Sequence, residues 1–175
     1  RTHFFTPDAS PRDTFLLWAG AIEPAKRLDR VMALAERHGL RLVVVGEGSQ
    51  SARMRRVAGE HTTFLGRVSD ERLRELYRTA AAFVQLHEED FGITVVEALA
   101  CGCPVMVHCT GGHAEIVTDG VGVQVDAENV EAIDSGFTQL LQQYWDPVPA
   151  VARARAFSPS VFDKEIKSAI RQLGF

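Results

Sequence analysis

Two carboxylates separated by seven residues, Glu89 and Glu97, frame the part of this sequence with the most chemistry. It reads Glu88-Glu89-Asp90-Phe91-Gly92-Ile93-Thr94-Val95-Val96-Glu97-Ala98-Leu99-Ala100-Cys101-Gly102-Cys103-Pro104-Val105. Glu89 stands at the end of an apolar run, and Glu97 falls about two turns into the helical pattern that follows. A loop that opens with an acid and starts a helix near Phe91-Gly92-Ile93 offers backbone N–H groups to an anion and carboxylates to hydroxyls. That combination suits a ligand carrying both phosphate and sugar. Glu97 alone would be an ordinary exposed helix carboxylate. Its neighbours Val95, Val96, Ala98 and Leu99 are apolar, however, and a carboxylate buried among them requires a partner.

Two further segments bear on the same chemistry. In Gly20-Ala21-Ile22-Glu23-Pro24-Ala25-Lys26-Arg27-Leu28, Lys26 and Arg27 are expected at a helix start, where the dipole disfavours cations unless an anion is bound there. A solvated surface pair is the competing explanation. In Val45-Gly46-Glu47-Gly48-Ser49 the glycines would let a phosphate or sugar approach the backbone, but Ser51 stands where a dinucleotide fingerprint needs its third Gly. Nicotinamide and flavin cofactors are therefore disfavoured, and no cofactor is expected. His87 and His113 lie near the same loops, but an isolated histidine is more often structural, and Trp18 is assigned to packing. Cys101, Cys103 and Cys109 lack the paired spacing and His partners of a zinc site and read as reduced thiols of a cytosolic protein. Glu88-Glu89-Asp90 is no defined oxygen cage, so no metal is expected.

The elements that must position these residues follow from periodicity. Short apolar runs at 15–19, 42–45, 62–65, 82–86, 104–107 and 121–125 read as strands, several apolar on both faces, as a covered parallel sheet demands. Between them, 28–37, 71–78 and 94–100 read as helices, and after Asn129 the pattern is helical over 130–144, 150–156 and 161–173, with a break at Pro147 and Pro149. Alternation of strand and helix implies a doubly wound, Rossmann-like α/β parallel sheet with helices on both faces. Ser69-Asp70 is placed to cap the helix from Glu71. The 175 residues suit one domain, and a net charge of −4 spread along the chain argues against a nucleic-acid partner. No stretch reaches the ~20 apolar residues of a membrane span, so no membrane contact is expected from this domain.

The 88–105 segment closely resembles the signature of the family-four retaining glycosyltransferases of GT-B architecture, whose C-terminal domains carry Glu, seven residues, Glu, with Phe-Gly in the loop and Ala-Cys/Ser-Gly-x-Pro-Val after it. The resemblance covers nearly the whole chain. Phe4-Phe5-Thr6-Pro7 resembles the lead-in between domains, 20–26 the phosphate loop, 44–48 the Gly-rich turn, and Phe64-Leu65-Gly66-Arg67-Val68 the base-contacting loop. Gly111-Gly112-His113-Ala114-Glu115-Ile116-Val117 matches the Gly-Gly-x-x-Glu-x-Val element, and Phe157-Ser158 with Phe162 the start of the last helix.

The resemblance implies a donor-binding domain that works with a nucleoside diphosphate sugar, GDP-mannose or a UDP-sugar, the Glu-Asp-Phe-Gly variant favouring GDP-mannose. Glu97 would hold the ribose hydroxyls and Glu89 the transferred sugar. Lys26 would meet the diphosphate, backbone N–H groups of Gly92, Ile93 and Thr94 the sugar and diphosphate, and Arg67 and Val68 the base. Gly20, Gly46 and Phe91 complete the implied substrate-binding set, with Glu89 and Lys26 as the catalytic pair. Family members usually carry Arg directly after the Gly aligned with Gly20; here Ala21 stands there, so half of the cationic clamp is missing. By the same resemblance, residues 1–12 are an interdomain linker and 13–175 the nucleotide-sugar-binding domain. The acceptor, a glycan or lipid-linked sugar, would bind an N-terminal domain outside this chain, which alone would bind weakly and transfer nothing. The full-length enzyme would be cytoplasmic, with peripheral membrane contact left to its other part. Two alternatives share the fold: a GT-B epimerase, which needs acid/base carboxylates around the sugar, and a non-catalytic nucleotide-sugar-binding module that lost the clamp at Ala21.

Overall fold

Each inner strand is apolar on both faces, and a strand of that kind is stable only when helices cover it from both sides. In the computed structural model, which describes residues 2–8 and 11–172, this is the arrangement. Strands β1 (Phe15–Ala19), β2 (Arg41–Val45), β3 (Thr62–Gly66), β4 (Ala82–Gln85), β5 (Val105–His108) and β6 (Gly122–Val125) form one sheet in the order β3-β2-β1-β4-β5-β6. All five pairings are parallel. Alternate residues feed two cores: Phe15, Leu17 and Ala19 point into one and Leu16 and Trp18 into the other. The doubly wound fold is thus the one that the alternation of apolar runs and helical stripes predicts.

Helices α1 (Leu28–His38), α3 (Asp70–Thr79) and α4 (Ile93–Ala100) form where the sequence pattern predicts them, α4 buried from Val95 to Ala100. Ser69 caps α3 by accepting from the Arg72 amide at 3.2 Å. Two helices were not legible. In α2 (Ser51–Val57) only Met54 is buried, so no apolar stripe marks it, and α5 (Gly112–Ile116) is little more than one turn. The C-terminal region forms α6 (Val130–Gln142), α7 (Pro147–Ala156) and α8 (Pro159–Gln172). The expected break at Pro147 and Pro149 is corrected. Both prolines lie in the first turn of α7, where a missing N–H removes no intrahelical bond, and Asp146 caps that turn on the Val148 amide at 2.9 Å. α8 buries no residue and exposes Phe162, Ile166 and Ile170 along one apolar stripe; Leu173, the last residue of the predicted helix 161–173, lies outside the described residues.

Described residues before β1 are pinned to the domain. Phe5 is fully buried edge-on against Tyr77, Arg78 donates to the Thr6 carbonyl at 2.6 Å, and Arg12 donates to the carbonyls of Ala80 at 2.9 Å and of Gly102.

At the carboxyl edge the strand ends are drawn together beyond the ladder. The Gly20 amide donates to Val45 at 3.0 Å and the Gly46 amide to Gly66 at 2.8 Å. Gly46 has φ +120°, and a Cβ there would sit 1.9 Å from the Gly20 carbonyl oxygen. Its missing side chain thus serves backbone packing. We predict that Gly46→Ala destabilises the chain by about 3 kcal/mol or more, from overpacking added to positive-φ strain, measurable by urea unfolding. An unchanged midpoint would contradict this account of the strand ends.

Candidate donor-binding site

The crevice begins where the sheet reverses its winding. β1 and β4 pair only at Leu16↔Ala82 and Leu17↔Phe83 and then part. The Gln85 side chain, 2% exposed, bridges the fork: its Nε2 donates to the Ala19 carbonyl at 3.2 Å and to Thr94 Oγ1 at 2.9 Å. Sequence reasoning missed Gln85. The available signal was a lone amide inside an apolar strand, which needs partners when buried. Ligands of doubly wound sheets bind at such switch points, beyond the carboxyl ends of the strands.

A cleft of about 270 Å³ opens there, lined by Gly20, Ala21 and Lys26 after β1, and by Glu89, Phe91, Gly92, Ile93 and Thr94 after β4. A wider depression of about 570 Å³ lies at the opposite edge among Asp13, Phe15 and Arg41, where the strands begin. The first amides of α4, an eight-residue helix with Gly92 as its N-cap at φ +93°, have no intrahelical acceptor and open on the cleft with the positive end of the dipole. A Cβ on Gly92 would meet His113 Cβ at 2.8 Å, so only glycine turns the chain into α4 here.

Lys26 and Glu89 meet across the cleft. Lys26 Nζ lies 2.5 Å from Glu89 Oε2, with side chains 29% and 23% exposed. His87 Nε2 reaches the same oxygen at 3.2 Å, and the Glu89 carbonyl accepts from the Gly112 amide at 2.6 Å. Burial pushes the Glu89 carboxyl up, but hydrogen bonds from Lys26 and His87 and the Lys26 charge prevail, holding it below the ordinary value. Burial lowers His87 against the pull of Glu89. His113, fully buried, is lowered to about 4, by burial first and by His87 and His108 in lesser part, and neither of its ring nitrogens has a hydrogen-bond partner among the described residues. Both histidines are therefore neutral near pH 7.

The fold brings together Gly20, Lys26, Glu89, Phe91, Gly92, Ile93 and Thr94. Gly46, Arg67, Val68 and Glu97 stand outside that wall. Arg67 is exposed on the next loop, 3.4 Å from Glu47. Glu97 is 5% exposed, the burial that its apolar neighbours imply. Lys26 and Arg27 stand at the start of α1, as expected, with Arg27 as its N-cap, but their side chains part there. Lys26 ends a 3-10 turn (Pro24–Lys26). Arg27 follows in the left-handed region at φ 42° and pairs with Asp29 at 3.3 Å, away from the cleft, so it does not stand in for the cation missing at Ala21. Cys101 and Cys103 are free and buried, their thiols pushed to about 12 and about 11 by burial, which makes them inert. Among the described residues no group of three or more His, Cys, Asp or Glu gathers to hold a metal ion, and no helix is long and apolar enough to cross a membrane.

A helix start facing a lysine and a carboxylate thus lies at the switch point of a Rossmann-like sheet. Residues 1–157 match the family Glycosyl transferases group 1, and the chain belongs to that family. It is 38% identical over 133 residues to the D-inositol 3-phosphate glycosyltransferase of Mycobacterium sp. (strain KMS), covering 69% of this chain and 30% of that protein. It is 36% identical over 115 residues to the GDP-mannose-dependent alpha-mannosyltransferase of Mycobacterium tuberculosis (strain CDC 1551 / Oshkosh), covering 65% and 29%. The chain thus spans about 30% of the length of these relatives. Its fold is similar to that of sucrose-phosphate synthase from Thermosynechococcus elongatus, with a TM-score of 0.80 at 24% identity, covering 98% of this chain and 50% of that one.

The buried neutral His113 ties stability to pH. Its pKa in the folded chain, about 4, lies below the ordinary 6.5, so the unfolded chain binds the extra proton first as pH falls. The contribution is full above pH 6.5 and is lost as pH drops toward 4. We predict that His113→Leu removes about 3 kcal/mol from the pH dependence of unfolding across that window. Urea melts of both chains at several pH values check this, and equal slopes would contradict it.

Proposed function

We propose that this chain is the donor-binding half of a retaining glycosyltransferase and seats a nucleoside diphosphate sugar in the crevice between β1 and β4. The observation that carries this is the convergence of Lys26, Glu89 and the α4 amides of Gly92, Ile93 and Thr94 in one cleft. The diphosphate lies against Lys26 and the start of α4, and the sugar hydroxyls against Glu89. The Arg67-Val68 loop takes the base, and Glu97 takes the ribose, a contact that must displace what now covers it.

Cleavage of the anomeric C–O bond leaves negative charge on the departing diphosphate. Lys26 and the positive end of α4 are preorganised to stabilise that charge, and Glu89 orients the sugar. The sugar passes with retention to a hydroxyl of a glycan or lipid-linked acceptor, held by the part of the protein beyond this chain. GDP-mannose is the favoured donor, supported by the Glu-Asp-Phe-Gly loop and by the name of the mannosyltransferase relative; a UDP-sugar is the alternative. The free, buried thiols fit a reducing compartment such as the cytoplasm.

A binding-only module is the second reading, favoured by Ala21, which lines the cleft where a second cation would serve the diphosphate. The test uses the full-length protein that contains this chain, with GDP-mannose and UDP-glucose in turn, and reads binding and release of nucleoside diphosphate. Lys26→Met is expected to weaken nucleotide binding on the order of tenfold, and Ala21→Arg to tighten it by a similar factor. Nucleotide release by the wild type supports transfer. Tight binding with no release, in wild type and Ala21→Arg alike, would leave a binding module, and no effect of Lys26→Met would remove the site.

A further inference from the structure

We infer that His87 is the positioning residue for Glu89: its Nε2–H holds the carboxylate in place when Lys26 leaves it for the diphosphate of a bound donor. The inference rests on the reading of this cleft as a nucleoside diphosphate sugar site. Two donors converge on one oxygen, Glu89 Oε2: Lys26 Nζ at 2.5 Å and His87 Nε2 at 3.2 Å. The other oxygen, Oε1, takes only the Asp90 amide, at 3.3 Å, among the described residues. A diphosphate entering the cleft competes for Lys26, whose long stem lets Nζ follow it. The His87 side chain is 1% exposed and fixed at the end of β4, so it stays. Without it, Glu89 would lose both partners on Oε2 at the moment it must face the sugar.

The geometry also fixes the tautomer. Burial keeps the ring neutral, and so do Lys26 from the loop after β1 and His108 from β5, while Glu89 from its own loop pulls the other way. His113 of α5 faces the ring edge-on, with centroids 5.9 Å apart, and is neutral itself. The single proton must sit on Nε2. On Nδ1 it would be a buried donor with no acceptor among the described residues, and Nε2 would set a lone pair against the carboxylate. Glu89 therefore has one mobile cationic partner and one immobile neutral one. The neutral partner keeps the carboxylate oriented and ionised after the exchange without competing for the phosphate.

The test follows the Glu89 carboxyl carbon by NMR across pH in the 175-residue chain, free and with saturating GDP, or UDP where GDP does not bind. In the wild type the midpoint stays below the ordinary Glu value with nucleotide bound. In His87→Leu it rises on nucleotide addition by about one pH unit. His87→Gln, whose amide reaches the same position, behaves as the wild type. If His87→Leu does not fold, His87→Asn, whose shorter amide falls short of Oε2, takes its place with the same expectation. A midpoint in His87→Leu that rises on nucleotide addition no more than in the wild type overturns the inference, and so does His87→Gln behaving like His87→Leu. Should neither nucleotide bind the wild type, the donor-site reading fails. The Lys26→Met background then decides His87 separately: adding His87→Leu must raise the Glu89 midpoint there, and an unmoved midpoint overturns the inference.

Discussion

The Lys26–Glu89 contact joins the loop after β1 to the loop after β4 across the crevice that the sheet leaves open. Both side chains are partly exposed, and a pair in that setting contributes at most about 1 kcal/mol to stability. Its importance is positional. It keeps the cation suited to a diphosphate and the carboxylate suited to a sugar within one contact distance. It also holds the carboxylate ionised against the effect of burial. Everything else in the site either permits that contact or limits how far its two partners can move.

The backbone makes the contact possible by opposite means on the two sides of the fork. On the β1 side the strand ends close: the Gly20 amide bonds to Val45 and the Gly46 amide to Gly66, so tightly that a side chain on Gly46 would meet the Gly20 carbonyl. On the β4 side the ladder opens after Leu17, and Gln85 spans the gap with one amide nitrogen shared between Ala19 and Thr94. That bridge ties the end of β1 to the first turn of α4. The helix start is therefore positioned by the same fork that forms the cleft. Gly92 completes the turn with a conformation that a side chain would strain.

Much of this was legible before any coordinates. Strands apolar on both faces and helices with one apolar stripe announce a doubly wound sheet, and Glu89, Lys26 and the Gly92 turn were marked by residue type at strand ends. What was illegible depends on directions that no local pattern encodes. α2 carries Arg53, Arg55 and Arg56 over a single buried Met54, and α5 is too short for a period to show. Lys26 and Arg27 look equivalent as neighbours, yet a 3-10 turn followed by a left-handed residue sends them to different surroundings. Pro147 and Pro149 read as a break because the cap that makes them a first turn is the preceding Asp146. His87 passed as an ordinary structural histidine, since its hydrogen bond to Glu89 arises only once β4 ends and the loop bends back.

The central claim is that the crevice between β1 and β4 is the nucleotide site, and a titration of the chain with GDP and with UDP, followed by backbone amide chemical shifts, tests it most directly. The account predicts saturable shifts at Gly20, Ala21 and Lys26 and from Phe91 to Thr94 with at least one of the two nucleotides. Shifts confined to α6, α7 and α8, or none with either nucleotide, would contradict it.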